Sequence, residues 1–157
     1  MTTIAVVAMG EMGSGLAARL ALQGARVITS LSGRGERSVE RARSAGVESV
    51  DDVALVREAD LLLSVVPPAV ATSVAERFGT LITAERDAAG AAARQGAGPI
   101  YVDCNAIAPQ TLAGIATLME RDRIALVDGC IIGPPPSGDG PSPRVYLSGV
   151  RAAEVAG

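Results

Sequence analysis

Six residues near the amino end, Ala8-Met9-Gly10-Glu11-Met12-Gly13, constrain the fold of this chain more than any other stretch. They follow Thr3-Ile4-Ala5-Val6-Val7, an apolar, β-branched run that reads as a buried strand entering a tight turn. They precede Leu16, Ala17, Leu20 and Ala21, which recur at helical spacing on one face until Gly24, a residue able to end a helix at positive φ. Strand, glycine-bearing turn and helix in this order open a parallel crossover unit. The turn is a G-x-G-x-x-G pattern with Ala in the first place, and its two glycines have separate uses: Gly10 would let the backbone approach a pyrophosphate, and Gly13 would let the helix pack closely on the strand. The helix start also offers free N–H groups and a favourable dipole. A plain Gly-rich turn with no ligand is the alternative.

The same alternation continues along the chain. Arg26 to Ser30 reads as a strand, Leu31 to Gly35 as a polar loop, Ser38 to about Ala45 as a helix and Val47 to Val50 as a short strand. Asp51 is placed to cap a helix running to about Glu58, and the apolar run Leu61 to Val66 is a central strand stopped by Pro67 and Pro68. Ala69 to Gly98 has helical composition, with Ala84 to Arg94 so small and polar that a mobile surface excursion is expected there. Ile100 to Asp103 is a strand, Pro109 opens a helix ending near Met119, Ile124 to Val127 is a sixth strand, and Arg144 to Leu147 follows the Pro/Gly-rich loop Gly133 to Pro143 as a further one. These elements predict an α/β fold of the Rossmann type: a doubly wound, mostly parallel sheet with helices on both faces and its ligand site at the carboxyl ends of the strands.

Composition supports that architecture and excludes others. With 157 residues one domain is expected, and with 48% hydrophobic but only 2% aromatic residues (Phe78, Tyr101 and Tyr146) the core must come from Val, Leu, Ile and Ala, which suits a parallel sheet. The net charge of -3, with no basic run or aromatic platform, argues against nucleic acid and for a small ligand. The first apolar stretch is cut by Gly10 and Glu11, so no secretory signal or membrane span is read there, and a cytoplasmic location is expected. Cys104 and Cys130 each follow a predicted buried strand and are expected to pack as small hydrophobes. The chain has no His and no Lys. A phosphate-binding Walker lysine, a pyridoxal Schiff base, a Ser-His-Asp triad and a His-ligated zinc are all excluded, no metal site is read, and no catalytic acid or base can be named.

The end of the second strand bears on the choice of dinucleotide. A carboxylate there would accept hydrogen bonds from the adenosine ribose and repel a 2′-phosphate. The sequence instead runs Thr29-Ser30-Leu31-Ser32-Gly33-Arg34-Gly35-Glu36-Arg37, which places the Ser30 and Ser32 hydroxyls and the Arg34 and Arg37 guanidinium groups about where that phosphate would sit. NADP(H) is expected over NAD(H); solvated loop charges are the alternative.

Two further segments fall at strand ends, Ser64-Val65-Val66-Pro67-Pro68 and Asp103-Cys104-Asn105-Ala106-Ile107-Ala108-Pro109. Together with the G-E-M-G turn and Asp128-Gly129-Cys130-Ile131-Ile132-Gly133-Pro134, they resemble the NADP-binding domain of the 6-phosphogluconate dehydrogenase and 3-hydroxyisobutyrate dehydrogenase family, the β-hydroxyacid dehydrogenases. The resemblance spans Ile4 to about Gly149. It implies that Gly10, Met12 and Gly13, with Met9 and Glu11 beside them, cradle the pyrophosphate. It also implies that Val66, Pro67 and Pro68 line the adenosine and ribose side, and that Asn105 lies near nicotinamide and substrate. For Asn105 an Asx-type turn capping the following helix is the alternative.

The pattern departs from the family twice. The family's Ser-Gly-Gly, which binds the substrate carboxylate, is replaced by Ile132, Gly133 and Pro134, so Ile132 and Gly133 stand at the substrate position without the hydroxyl. That points to a divergent subgroup, some of whose relatives carry a similar I-I-G-P-P segment. Family members also continue into an all-helical domain that supplies a catalytic Lys and the dimer interface, whereas Arg151 to Ala156 reads as the start of a helix cut short at Gly157. The expectation is the cofactor half of an NADP-dependent oxidoreductase for a small hydroxy-acid-like or imine-like substrate, homodimeric if a helical domain is present. A non-catalytic NADP(H)-binding sensor or scaffold is the alternative.

Overall fold

The computed structural model describes residues 1–90, 98–137 and 140–156. In chain order the elements are β1 (Thr3–Val7), α1 (Glu11–Leu22), β2 (Arg26–Ser30), α2 (Glu36–Ser44), β3 (Glu48–Val50), α3 (Asp52–Glu58) and β4 (Leu61–Ser64). A single 3₁₀ turn (Pro68–Val70) leads into α4 (Ala71–Ala88), followed by β5 (Ile100–Asp103), α5 (Pro109–Arg121), β6 (Leu126–Ile132), β7 (Arg144–Ser148) and α6 (Ala152–Ala156). The seven strands form one sheet in the order β3-β2-β1-β4-β5-β6-β7, in which β1 to β6 run parallel and β7 is antiparallel to β6. This is the doubly wound α/β arrangement the alternation predicts, with an antiparallel strand added at one edge.

All five residues of β1 are buried because both faces of the sheet are covered. Ala5 and Val7 point into a core shared with Leu55, Leu62, Phe78, Tyr101 and Ile115. Ile4 and Val6 point to the opposite face, against Met9, Ala17 and Val27. Two caps behave as their residue types require: Gly24 leaves α1 at φ 91°, and the Asp51 carboxylate accepts the Ala54 N–H at 2.8 Å at the start of α3.

Four expectations are corrected. The run Leu61 to Val66 leaves the sheet after Ser64, because the Val66 N–H is taken by the Asn105 side chain and not by a neighbouring strand. The sixth strand spans Leu126–Ile132, later and longer than Ile124 to Val127, because β7 pairs with it as far as Ile132 opposite Arg144. Cys130 therefore lies within that strand and is exposed, while Cys104 is buried as expected. The stretch from Ala84 is α-helical through Ala88, Ala89 and Gly90 end the helix, and residues 91–94 of the excursion expected there lie outside the described residues. Among the described residues no helix is long and apolar enough to cross a membrane.

Candidate functional site

Between β1 and β4 the strand order reverses, and the loops that follow the two strands diverge to opposite faces of the sheet. The crevice opened at such a switch point is where doubly wound sheets place their ligands. Here it is a cleft of about 320 Å³ lined by the Gly-rich turn (Gly10, Glu11, Met12, Gly13), the end of β4 (Val65, Val66, Pro67, Pro68), the end of β5 (Cys104, Asn105, Ala106) and two residues of β6, Cys130 and Ile131. Glu11 is the one charged residue of that lining.

The two glycines of the turn differ in what surrounds them. A Cβ on Gly13 would stand 1.9 Å from the Ala8 carbonyl oxygen, so the first turn of α1 packs directly on the end of β1 and only hydrogen fits between. A Cβ on Gly10 would meet nothing within 4 Å, and its φ of -74° is open to any residue. Gly10 caps α1 without a side-chain hydrogen bond, which leaves N–H groups of the helix start facing the cleft. Glu11 is paired with Arg41 of α2 at 3.1 Å.

Asn105 joins two sides of the cleft. Its Oδ1 accepts the Val66 N–H at 2.7 Å, and its Nδ2 donates to the Ser64 hydroxyl at 3.0 Å. The side chain therefore reaches across to β4 and does not cap α5, whose N-cap is Ala108 with no side-chain bond. The Asn105 N–H donates to Oδ1 of Asp103 at 3.0 Å. Asp103 is fully buried, and its other oxygen, Oδ2, has no hydrogen-bond partner. Burial, with a smaller contribution from the neighbouring Asp128 carboxylate, raises the Asp103 carboxyl above its ordinary value. The same burial pushes the Cys104 thiol up to about 12, so it stays protonated and inert at neutral pH.

The other predicted residues divide into three groups. Met12, Val66, Pro67 and Pro68 line the cleft beside Gly10, Glu11, Gly13 and Asn105. Met9 does not: its side chain is buried in the core with Val6 and Ala17, because the chain stops alternating after β1, with Ala8 staying on the face of Val7 and Met9 turning to that of Val6. Ser30, Ser32, Arg34 and Arg37 lie outside the cleft lining, Ser30 as the last residue of β2 and the others beyond it, and β2 pairs with β1. Ser32, Arg34 and Arg37 are exposed, and neither arginine makes an ion pair among the described residues.

Ile132 and Gly133 are exposed at the far end of β6, outside this lining, in which β6 is represented by Cys130 and Ile131. The loop beyond them turns away onto α1: a Cβ on Gly15 would stand 2.7 Å from the Pro136 carbonyl oxygen, and Arg19 Nε donates to Ser142 Oγ at 3.1 Å. Sequence reasoning missed Ser64 as part of the site, although a signal was present. It is the one hydroxyl in the apolar run Leu61 to Val66, at an inward position.

Residues 3–87, more than half of the chain, match the family described as NADP oxidoreductase coenzyme F420-dependent. No curated protein matches the chain. Among solved structures, a conserved protein of unknown function described as structurally similar to 3-hydroxyacid dehydrogenases is 31% identical, with a TM-score of 0.78 over 98% of this chain and 52% of that one. The 3-hydroxyisobutyrate dehydrogenase of Mycobacterium tuberculosis is 23% identical, with a TM-score of 0.63 over 85% of this chain and 42% of that one. An imine reductase from Myxococcus stipitatus in complex with NADP+ is 19% identical, with a TM-score of 0.65 over 86% and 42%. The last two likenesses are of fold alone. The chain spans about half the length, or less, of the solved structures it matches. By its sequence match over residues 3–87 the chain belongs to the family described as NADP oxidoreductase coenzyme F420-dependent, and with its likeness to a protein similar to 3-hydroxyacid dehydrogenases it is an NAD(P)-binding domain of the 3-hydroxyisobutyrate and 6-phosphogluconate dehydrogenase-like kind.

Proposed function

We propose that the chain binds NADP(H) across the switch-point cleft and orients it for hydride transfer in an oxidoreductase acting on a small hydroxy-acid-like or imine-like substrate. The contrast between Gly10 and Gly13 carries this reading. Gly13 is required by the packing of α1 on β1, whereas neither backbone angle nor neighbour requires a glycine at position 10. What a side chain at position 10 would take away is open space over the start of α1, the place where a pyrophosphate meets free N–H groups and the positive end of the helix dipole.

The end of β2 supports the preference for NADP(H). Gly35 caps α2 without a side-chain bond, and Arg37 stands in the first turn of that helix beside Glu36. Arg34 and Ser32 flank the same turn. A 2′-phosphate would accept charge-assisted hydrogen bonds from the two guanidinium groups and a further one from the Ser32 hydroxyl. Asn105, Cys130 and Ile131 would meet the nicotinamide and substrate side of the cleft. The nicotinamide supplies the hydride chemistry when bound, and the residues here bind and orient it. With no Lys or His in these residues, proton transfer would fall to a group from a further helical domain, which would also form a dimer interface.

Titration with NADPH and NADH, followed by nicotinamide fluorescence, tests the reading. NADPH is expected to bind more tightly, and Arg34→Ala or Arg37→Ala to weaken NADPH by about tenfold each while leaving NADH unchanged. Equal affinity for the two dinucleotides would remove the 2′-phosphate assignment. No binding of either would remove the function.

A further inference from the structure

Directly beneath the cleft floor lies a buried polar group that neither the core nor the proposed chemistry uses. Asp103 ends β5 with no exposed surface, one oxygen bonded to the Asn105 N–H and the other without a partner. Two residues earlier, Tyr101 is also fully buried. Unpaired buried polar atoms cost stability, and so does a carboxylate whose sheet neighbour is a second carboxylate, Asp128. Such a group is not explained by what it adds to the fold.

What it holds is informative. The Asn105 amide can take only one orientation here, because the Val66 N–H can only donate and so must face Oδ1, which turns Nδ2 to the Ser64 hydroxyl. These two bonds span 39 and 41 residues and tie the end of β5 to the end of β4. The bond from the Asn105 N–H to Asp103 sets the backbone from which that amide is presented. Resting on the reading of the cleft as a dinucleotide site, we infer that Asp103 is a positioning residue: it holds Asn105, and Asn105 holds the Val66 amide, so that two sides of the cleft are fixed before a ligand arrives.

Hydrogen exchange of individual backbone amides in the unliganded chain tests this without any ligand. Asp103→Ala should lower the protection of the Val66 amide at least tenfold although Asp103 does not touch it, while Leu62, in the middle of β4, keeps its protection. Asp103→Asn, which retains a carbonyl oxygen for the Asn105 N–H, should restore most of the Val66 protection. Ser64→Ala, a smaller change, should also loosen Val66 and serves if Asp103→Ala does not fold. Unchanged Val66 protection in the folded variants would overturn the proposal, as would an equal fall at Leu62, which would mean general destabilisation. In NADPH titrations, Asp103→Ala and Asn105→Ala should each weaken binding about tenfold, and the double variant should bind no worse than Asn105→Ala alone. Additive losses would show that Asp103 acts by another route. If the wild-type chain binds no dinucleotide, the proposed function falls, and Val66 protection alone decides whether Asp103 positions the loop.

Discussion

The two flanks of the Gly-rich turn are built on different principles. On the β4–β5 side the cleft is assembled from within: Asn105 and Ser64 are buried, and they close bonds between segments some forty residues apart. On the β2 side Ser32, Arg34 and Arg37 stand exposed on a loop and helix start with no ion pair among the described residues. One flank is fixed by the protein's own hydrogen bonds, and the other presents charge that a ligand would have to satisfy. Substitutions on the first side should therefore act on stability and geometry, and those on the second on affinity alone, with a dependence on salt.

The largest effect expected falls on the seam between the flanks. Gly13→Ala would place a methyl group 1.9 Å from the Ala8 carbonyl oxygen, a backbone atom that cannot turn aside. A loss of about 3 kcal/mol or more is expected, read as a fall in Tm of roughly 6–12 °C for a domain of this size. An unchanged Tm would mean that α1 is not seated on β1 as described.

Next in size is the charged flank. Replacing Arg34 and Arg37 together by Ala should cost about 2–3 kcal/mol in NADPH binding and flatten its dependence on salt, yet leave unfolding within about 0.5 kcal/mol of the wild type. If the double substitution destabilises the fold instead, these side chains are structural and the comparison between the flanks fails.

How far the site was legible follows the same division. The Gly-rich turn and the Ser30 to Arg37 segment are local patterns, and each stands at the strand end where the alternation of elements put it, whereas the strand before Pro67 and Pro68 ends already at Ser64. The Asn105–Val66 bond joins residues 39 apart, and nothing in either segment alone announces it. The length of β6 was hidden for the same reason: Asp128-Gly129-Cys130 breaks the apolar pattern, and only pairing with β7 across the Pro-rich loop extends the strand to Ile132. Gly15 looks like an ordinary helix residue until Pro136 is seen against it.

A smaller effect, of opposite sign, is expected at Asp103. Its carboxyl is raised above the ordinary value of 3.8, chiefly by burial, so the fold favours the neutral form. The stability this contributes is fully present below the ordinary value and is lost as pH rises through the raised one. Above its raised value the ionised group weakens the fold, and there Asp103→Asn, which cannot ionise and keeps an acceptor for Asn105, should be more stable than the wild type by about 1 kcal/mol. That advantage should disappear in denaturant titrations as pH falls below 3.8. A variant less stable across the whole pH range would mean that the Asp103 carboxyl is held by more than its bond to Asn105.

The smallest effect on stability, and the sharpest on the comparison, is expected at Gly10. Alanine adopts φ -74°, ψ -172° without strain, and its methyl group would meet no atom within 4 Å. Restricting the unfolded chain favours the substitution by about 0.4–1 kcal/mol. Glycine is the better N-cap, which offsets a similar amount. The two should leave Tm nearly where it was. Dinucleotide binding should nonetheless fall by about tenfold or more, because the methyl group fills the space over the helix start where the pyrophosphate would lie. Gly13→Ala and Gly10→Ala then separate cleanly: one loses the fold and the other the ligand, from two glycines three residues apart. If Gly10→Ala binds NADPH as the wild type does, the open space above position 10 is not the pyrophosphate site, and the ligand must enter the cleft from the Val66 and Asn105 side.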